Sequence, residues 1–422
     1  AHCQGGEVGQ GQPPHRLPLP LVQQGLGLGV LSHPHHLLGG GAGEVGRAGA
    51  LGLQPHLGDE FLEVQFLEQL QQQGVESSQI ISINFEKLEY EPLLEYHKLH
   101  DFIVERLQPG KTNYVFLDEI QLVDDFQKAV DSLYVRPQVD LYITGSNAQL
   151  LSGELATLLS GRFVEIQMLP LSFREYQQLT GKETATAWRE YYSWGGFPYL
   201  PSIEAEEIRY DYLQGIYSTI LLKDLVQRKK IQDVELLENI IRFLVDNVGN
   251  LVSFSKIAGY LVSHGRKTSS QTIERYVRAL EDAFFLYKAS RYDIRGKEQL
   301  KSLEKYYVVD MGFRHLLMGN RRSDIGHILE NIVYLELLRR GFRVYVGKVN
   351  ELKVDFIAER DGERQYYQVS ASVMDPRTFA REIAPLKQIR DNYPKTLLTL
   401  DTLPQEEDGI PQKNILEFLL ES

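Results

Sequence analysis

No lysine precedes Lys87 in this chain of 422 residues, and the first 60 residues also lack Ile, Asn, Tyr, Phe, Thr, Met and Trp. The single cysteine, Cys3, excludes a disulfide framework and a cysteine metal cluster. No apolar run reaches about 18 residues, so a transmembrane helix is not expected. The opening residues have no charged start followed by an apolar core, the mark of a signal peptide. A cytoplasmic protein with no membrane contact is the expectation. What the chain does contain, 43% hydrophobic and 24% charged residues, suits a soluble globular protein. A net charge of −12 argues against a surface that binds polyanions throughout, and leaves room for a local basic patch.

Residues 1–60 stand apart from the rest. They hold 15 of the 35 glycines, 6 of the 17 prolines and 6 of the 11 histidines. With so few bulky side chains they are expected to be disordered or loop-like. The missing residue types mostly have AT-rich codons. An out-of-frame reading of GC-rich DNA or a wrongly joined fragment would produce that bias; a natural low-complexity tail is the alternative. His33, His35 and His36 have no carboxylate or cysteine at ligand spacing, and read as an accident of composition.

From Phe61 the character changes. Leu62, Phe66 and Leu70 lie at i, i+4, i+8, with Gly74 as the stop, which predicts an amphipathic helix. "QIISINFEK" predicts a buried strand, "PLLEYHKLHDFIVERL" a helix, and "NYVFLDE" and "DLYITGSN" two further strands. Strands alternating with helices predict a mostly parallel sheet with helices on both faces. Three features fit one site on it. The apolar strand ending in Asp118-Glu119 would place its first acid near a Mg²⁺-bound water, and its second where it polarises an attacking water. A strand running into an acidic turn has the same pattern. "LYITGSNAQLL" puts Thr144, Ser146 and Asn147 where a side chain could contact a γ-phosphate or the water. A plain strand-to-helix turn with an N-cap is the alternative. Arg162, in "LSGRF", could stabilise charge on a transferring phosphoryl group, or be a surface arginine.

Taken together, "YVFLDEIQ", "YITGSNAQLLS", "LSGRF", "LPLSFREY", "GGFP" (195–198) and "LLKDLVQR" (221–228) occur in an order that resembles the prokaryotic AAA-type ATPases. Those proteins carry a C-terminal restriction-endonuclease-like domain of unknown function. The resemblance runs from about Phe61 to the C-terminus. It implies that Asp118 and Glu119 are a Walker B pair, Ser146-Asn147 the sensor-1 region, and Arg162 an arginine finger or sensor. ATP and Mg²⁺ are the implied cofactors. It further implies a strand and a G-x-x-x-x-G-K-[ST] loop ahead of the helix at Phe61, cradling phosphate with its N–H groups and lysine. The chain has no such loop. Gly58 stands near the expected place, but Asp59-Glu60 follow it, and acids there would repel phosphate. The only Gly-Lys-Thr, residues 110–112, has Glu105 where the first glycine should be and leads into a strand; it reads as a turn. ATP binding is therefore expected to be poor in the chain as written.

Helix, short helix, helix and strand-like pieces over residues 234–305 predict a winged helix. Between Asn250 and Lys305 there are 11 Lys/Arg against 6 Asp/Glu, a net of +5. Arg266, Lys267, Arg275 and Arg278 could face phosphates of DNA, although such modules also serve as packing units. The C-terminal order helix, three strands, helix, strand matches the core of the PD-(D/E)xK nuclease fold. That chemistry needs an acid on the first helix, an Asp on the second strand and Glu-x-Lys on the third. Here Glu330, Asp355 and Gln368-Val369-Ser370 take those places, so a carboxylate and the lysine are both lost and nuclease activity is not expected. The expected architecture is thus an aberrant or disordered segment (1–60), an α/β P-loop NTPase-like AAA domain lacking its loop (61–230), a winged helix (231–310) and a PD-(D/E)xK nuclease-like α/β domain (311–422). The expected function is ATP hydrolysis that couples nucleotide state to an unknown protein partner, with a homo-oligomer in keeping with the type. A DNA-binding or regulatory protein with an inactive ATPase is the alternative.

Overall fold

The structure, a computed structural model, describes residues 19–24, 67, 70–145, 163–221, 225–226, 229–296, 298–319 and 325–421. Two sheets organise the chain. The first contains β1 (Leu19–Gln24), β2 (Ile80–Asn84), β3 (Asn113–Asp118), β4 (Val139–Ile143) and β5 (Phe163–Met168), in the order β2-β3-β4-β1-β5. Every ladder in it is parallel. Helices α1 (Tyr96–Val104) and α2 (Phe126–Tyr134) cross over between strands. All six residues of β3 are buried, as a central strand with both faces covered requires. Leu99, Ile103, Val130 and Leu133 cover it from one side, while Phe116 stacks on Tyr142 at 4.8 Å. This mixed α/β fold with a parallel sheet fits a P-loop NTPase-like architecture.

One expectation is corrected here. Residues 1–60 are not wholly without regular structure, because Leu19–Gln24 forms β1 between β4 and β5. Composition averaged over 60 residues conceals a short stretch such as "LPLVQQ", and about six residues make a strand. Pro20 within it removes one ladder donor. His33, His35, His36, Phe61 and Leu62 lie outside the described residues. The end of the helix expected after Phe61 is seen at residues 70–72, followed by Gly74 at φ 88. The turn expected at residues 109–112 has Gly110 at φ 74, and Lys111 reaches Glu76 at 2.6 Å.

The second sheet has nine strands. After α3 (Phe173–Thr180), α4 (Thr184–Trp194) and α5 (Glu206–Thr219) come α6 (Val234–Asp246), β6 (Leu251–Val252), α7 (Phe254–Ser263), α8 (Ser270–Asp282), β7 (Leu286–Asp293) and β8 (Glu298–Val308). Then follow α9 (Met311–Met318), α10 (Ile325–Arg339), β9 (Arg343–Val349), β10 (Leu352–Arg360), β11 (Glu363–Val369), α11 (Pro376–Lys387), β12 (Lys395–Thr399), β13 (Glu406–Glu407), β14 (Ile410–Asn414) and α12 (Ile415–Leu420). A turn at Asp361-Gly362 joins β10 to β11 with both residues at positive φ, 54 and 83, as a two-residue hairpin loop needs. After β12 at Lys395 come β13, β14 and α12. The sheet order is β13-β14-β12-β11-β10-β9-β7-β8-β6, so β7 pairs with β9 across residue 310 and the strands on either side of it form one sheet. One hydrophobic core cluster runs from Phe173 to Leu419, beside a smaller one around Val354, Ile357, Tyr366 and Leu386. Among the described residues no helix is long and apolar enough to cross a membrane.

A buried carboxylate joins the early and late parts of this core. Asp310 caps α9, accepting from the N–H of Gly312 through Oδ1 and of Gly196 through Oδ2, each at 2.7 Å. Gly195, at φ 89, lies so close that an added Cβ would sit 1.7 Å from Asp310 Oδ1. The "GGFP" turn is therefore glycine-rich because a carboxylate occupies the space a side chain would need. Gly196 C=O accepts from Leu171 N–H at 2.8 Å, and Arg339 of α10 donates to Pro170 C=O at 2.6 Å. "LPLSFREY" and "GGFP" are thus bonded to each other and to the C-terminal helices. Gly195→Ala should lower stability by roughly 2–4 kcal/mol, through strain at positive φ and disruption of both N–H acceptors. Asp310→Ala, which orphans two buried N–H groups, should cost a similar amount; urea unfolding midpoints measure both. Burial pushes Asp310 up to about 7, so the folded chain holds a proton there that the unfolded chain has already released. Its contribution is greatest below pH about 4 and declines as pH rises to about 7, a slope that Asp310→Asn should abolish.

Candidate functional site

Asp118 ends β3 at the carboxyl edge of the parallel sheet, where crevices between strands and following loops collect functional groups. It is 7% exposed and Glu119 is 6% exposed. Asn84, its register partner at the end of β2, donates from Nδ2 to Asp118 Oδ2 at 2.8 Å. Thr144, just past β4, donates from Oγ1 to Asp118 Oδ1 and accepts from Glu119 N–H at 3.3 Å. The backbone completes the clamp: Thr144 N–H donates to Leu117 C=O at 3.0 Å and Ile120 N–H to Thr144 C=O at 3.2 Å. Glu119 takes φ 54, a left-handed conformation seldom adopted by a residue with a long side chain. The chain turns sharply there, and Gln121 Nε2 donates to Glu119 Oε2. Gln121 Oε1 is buried and has no hydrogen-bond partner among the described residues.

Three of the expected site residues, Asp118, Glu119 and Thr144, therefore converge on one strand edge. Ser146, Asn147 and Arg162 lie outside the described residues. Asn84 and Gln121 were not among the expected positions. Their signal was present: "ISIN" ends a buried strand in a polar amide, and "DEIQ" places an amide two residues past an acid. The carboxylates suit the metal's share of a nucleotide site, being acceptor groups held in fixed orientation at the sheet edge. For the phosphate's share, residues 25–66, which follow β1, contain no lysine, and Arg47 is the arginine in that stretch.

The four basic positions expected to face DNA phosphates are on one helix and the loop before it. On α8, Ile273, Tyr276, Val277 and Leu280 are buried while Arg275 and Arg278 are exposed, three residues apart on the outer face. Arg278 is bonded to Glu274 at 2.5 Å, and Arg275 lies 5.4 Å from the Tyr276 ring. Arg266 pairs with Glu235 of α6, and Lys267 is exposed.

In the C-terminal half, Glu330 on α10, Asp355 on β10 and Gln368 on β11 come together. Gln368 Oε1 accepts from Asp355 N–H at 3.2 Å, and its Nε2 donates to Glu382 at 2.9 Å. A lysine is present after all, from an unexpected strand: Lys305 of β8 donates to Glu330 at 2.6 Å and approaches Asp355 at 3.5 Å. Its signal in the sequence was a lysine directly before the buried run "YYVV". Burial, reinforced by the charge of Glu330, pushes Asp355 up to about 7 against the pull of Lys305. Burial would lower Lys305, but Glu330 and Asp355 outweigh it and hold the ammonium above the ordinary lysine range. Among the described residues no group of three or more His, Cys, Asp or Glu is placed to hold a metal ion.

At the strand edge, Thr144→Val keeps the side-chain shape but removes the donor to Asp118 and the acceptor for Glu119 N–H. A loss of about 1–3 kcal/mol is expected, with Thr144→Ser near the parent value, by chemical denaturation.

Residues 63–177 match an AAA domain family, and residues 185–324 match a domain of unknown function. An uncharacterized protein of Haemophilus influenzae is 41% identical over 371 residues, covering 86% of this chain and 92% of the relative. An uncharacterized protein of Methanocaldococcus jannaschii is 28% identical over 321 residues, covering 72% of this chain and 67% of that protein. Among solved structures, the Walker-type ATPase of Pyrococcus abyssi is similar at 15% identity and a TM-score of 0.39, over 61% of this chain and 76% of that one. The chain belongs to the same family as the uncharacterized Haemophilus influenzae protein, and its residues 63–177 match the AAA domain model.

Proposed function

We propose that this chain has the carboxylate half of an AAA-type ATPase site, with Asp118 orienting a Mg²⁺-bound water and Glu119 polarising the water that attacks the γ-phosphate of ATP. The supporting observation is the double clamp on Asp118 from Asn84 and Thr144, which fixes a buried acid at the carboxyl end of a parallel strand. Mg²⁺, when bound, neutralises charge on the phosphoryl oxygens. Gln121 acts as a positioning residue, setting the orientation of Glu119. Thr144, with Ser146 and Asn147, forms the sensor, and Arg162 supplies charge to the transferring group. In this reading the segments after the ATPase domain are a winged helix and a degenerate nuclease-like domain, which pass the nucleotide state to a protein partner.

The lack of any lysine between β1 and Lys87 makes the chain as written a poor ATP binder. Titration with a fluorescent ATP analogue should show no micromolar affinity. A version carrying a G-x-x-x-x-G-K-[ST] loop after β1 should hydrolyse ATP, and Glu119→Gln in that version should reduce kcat by 10²-fold or more, in the range of a lost general base. Unchanged hydrolysis by Glu119→Gln would overturn the assignment of the base.

A second reading follows from the exposed pair Arg275 and Arg278 on α8: a DNA-binding or regulatory protein with an inactive ATPase. It expects duplex DNA binding that weakens steeply with salt, and that loses roughly one unit of log–log salt slope for each of Arg275→Ala and Arg278→Ala. Binding that ignores both salt and these substitutions would rule it out.

A further inference from the structure

The C-terminal carboxylates have a feature that the nucleotide reading neither needs nor explains. Lys305 is 4% exposed and Glu330 8% exposed, so both are almost fully withdrawn from water. The Lys305 ammonium lies between two acids from different elements, 2.6 Å from Glu330 Oε1 and 3.5 Å from Asp355 Oδ1. Tyr307, on the same face of β8 two residues later, also donates to Glu330 Oε1 at 2.6 Å. The second oxygen of Asp355 accepts from Val369 N–H at 3.1 Å. Gly249, at φ 74, abuts the Glu330 carboxylate, where an added Cβ would sit 3.0 Å from Oε2.

A divalent ion bridging Glu330 and Asp355 would compete with the ammonium that already faces Glu330 Oε1 and Asp355 Oδ1, and would meet its positive charge at close range. The neighbouring Gln368 supplies a neutral amide, whose oxygen and nitrogen are both engaged. The donor set therefore does not fit the metal that a nuclease-like site implies. Two buried acids side by side nevertheless need a cation, since neither can ionise freely beside the other without one.

We propose that the Lys305 ammonium is the resident cation of the Glu330–Asp355 pair, held in place of a divalent ion. Because β8 belongs to the hairpin that precedes residue 310, the cation comes from outside the helix and strands that carry the acids. Docking of the β7–β8 hairpin thus does the work that metal binding would do in a nuclease-like site. It follows that a latent divalent site is closed by this one side chain, and that removing the side chain opens it.

The test uses the intact chain and free Mn²⁺ followed by electron paramagnetic resonance. Lys305→Met should take up one more Mn²⁺ per chain than the parent, and Lys305→Met/Asp355→Asn should lose that extra ion. Counting the difference leaves out any ion held at Asp118 in both chains. If Lys305→Met is unfolded in the absence of metal, millimolar Mn²⁺ should restore its melting transition. Failure to bind the extra ion, or to recover the transition, overturns the proposal. Mn²⁺ binding by the parent that disappears on Asp355→Asn also overturns it. So does Mg²⁺-dependent plasmid cleavage by the parent that Lys305→Met abolishes, since the lysine would then serve chemistry in an open site.

Discussion

A buried carboxylate must find donors, and Asp310 finds them in two backbone N–H groups more than a hundred residues apart in sequence, those of Gly196 and Gly312. Everything around it follows from that requirement. Gly195 can carry no side chain, the "GGFP" turn must come up against the start of α9, and the "LPLSFREY" segment is bonded to the turn through Leu171 and Gly196. Arg339 from α10 then reaches Pro170, so the stretch leaving the parallel sheet is tied to the helices above the nine-stranded sheet. Segments that mark the family in sequence are, physically, the joint between its two halves.

The chain places acids in two settings with different described partners. At the end of β3 the described donors to Asp118 are neutral, an amide from Asn84 and a hydroxyl from Thr144. At Glu330 and Asp355 the charge is already met by Lys305. The second setting is closed by a tethered ammonium. Counting acids would not separate the two, because both present paired carboxylates on an α/β framework.

The two sheets also differ in how they are held. The first is all parallel and buries β3 completely, so its ladder and its core depend on crossovers through α1 and α2. The second mixes orientations and takes in strands from before and after residue 310. Period and turn signals report on elements and not on which strands will pair.

Local pattern alone determined a great deal. The buried run "NYVFLD", the alternating "QIISIN", the capped helices from Val234 to Asp282 and the hairpin at Asp361-Gly362 each state their element through spacing and turn chemistry. The Asp118-Glu119-Thr144 grouping was legible because strands of a parallel sheet deliver their ends to one edge. What tertiary structure decided were the partnerships between distant residues. A six-residue strand inside an atypical segment forms because a gap between β4 and β5 accepts it. Asn84 meets Asp118 through register, and Gly195 must be glycine because Asp310 arrives there from the far side of the core. Lys305 reaches Glu330 only because β8 joins the sheet that β10 belongs to. Composition and period describe what a segment can bury; which charge meets which is settled when separate segments compete for the same small buried volume.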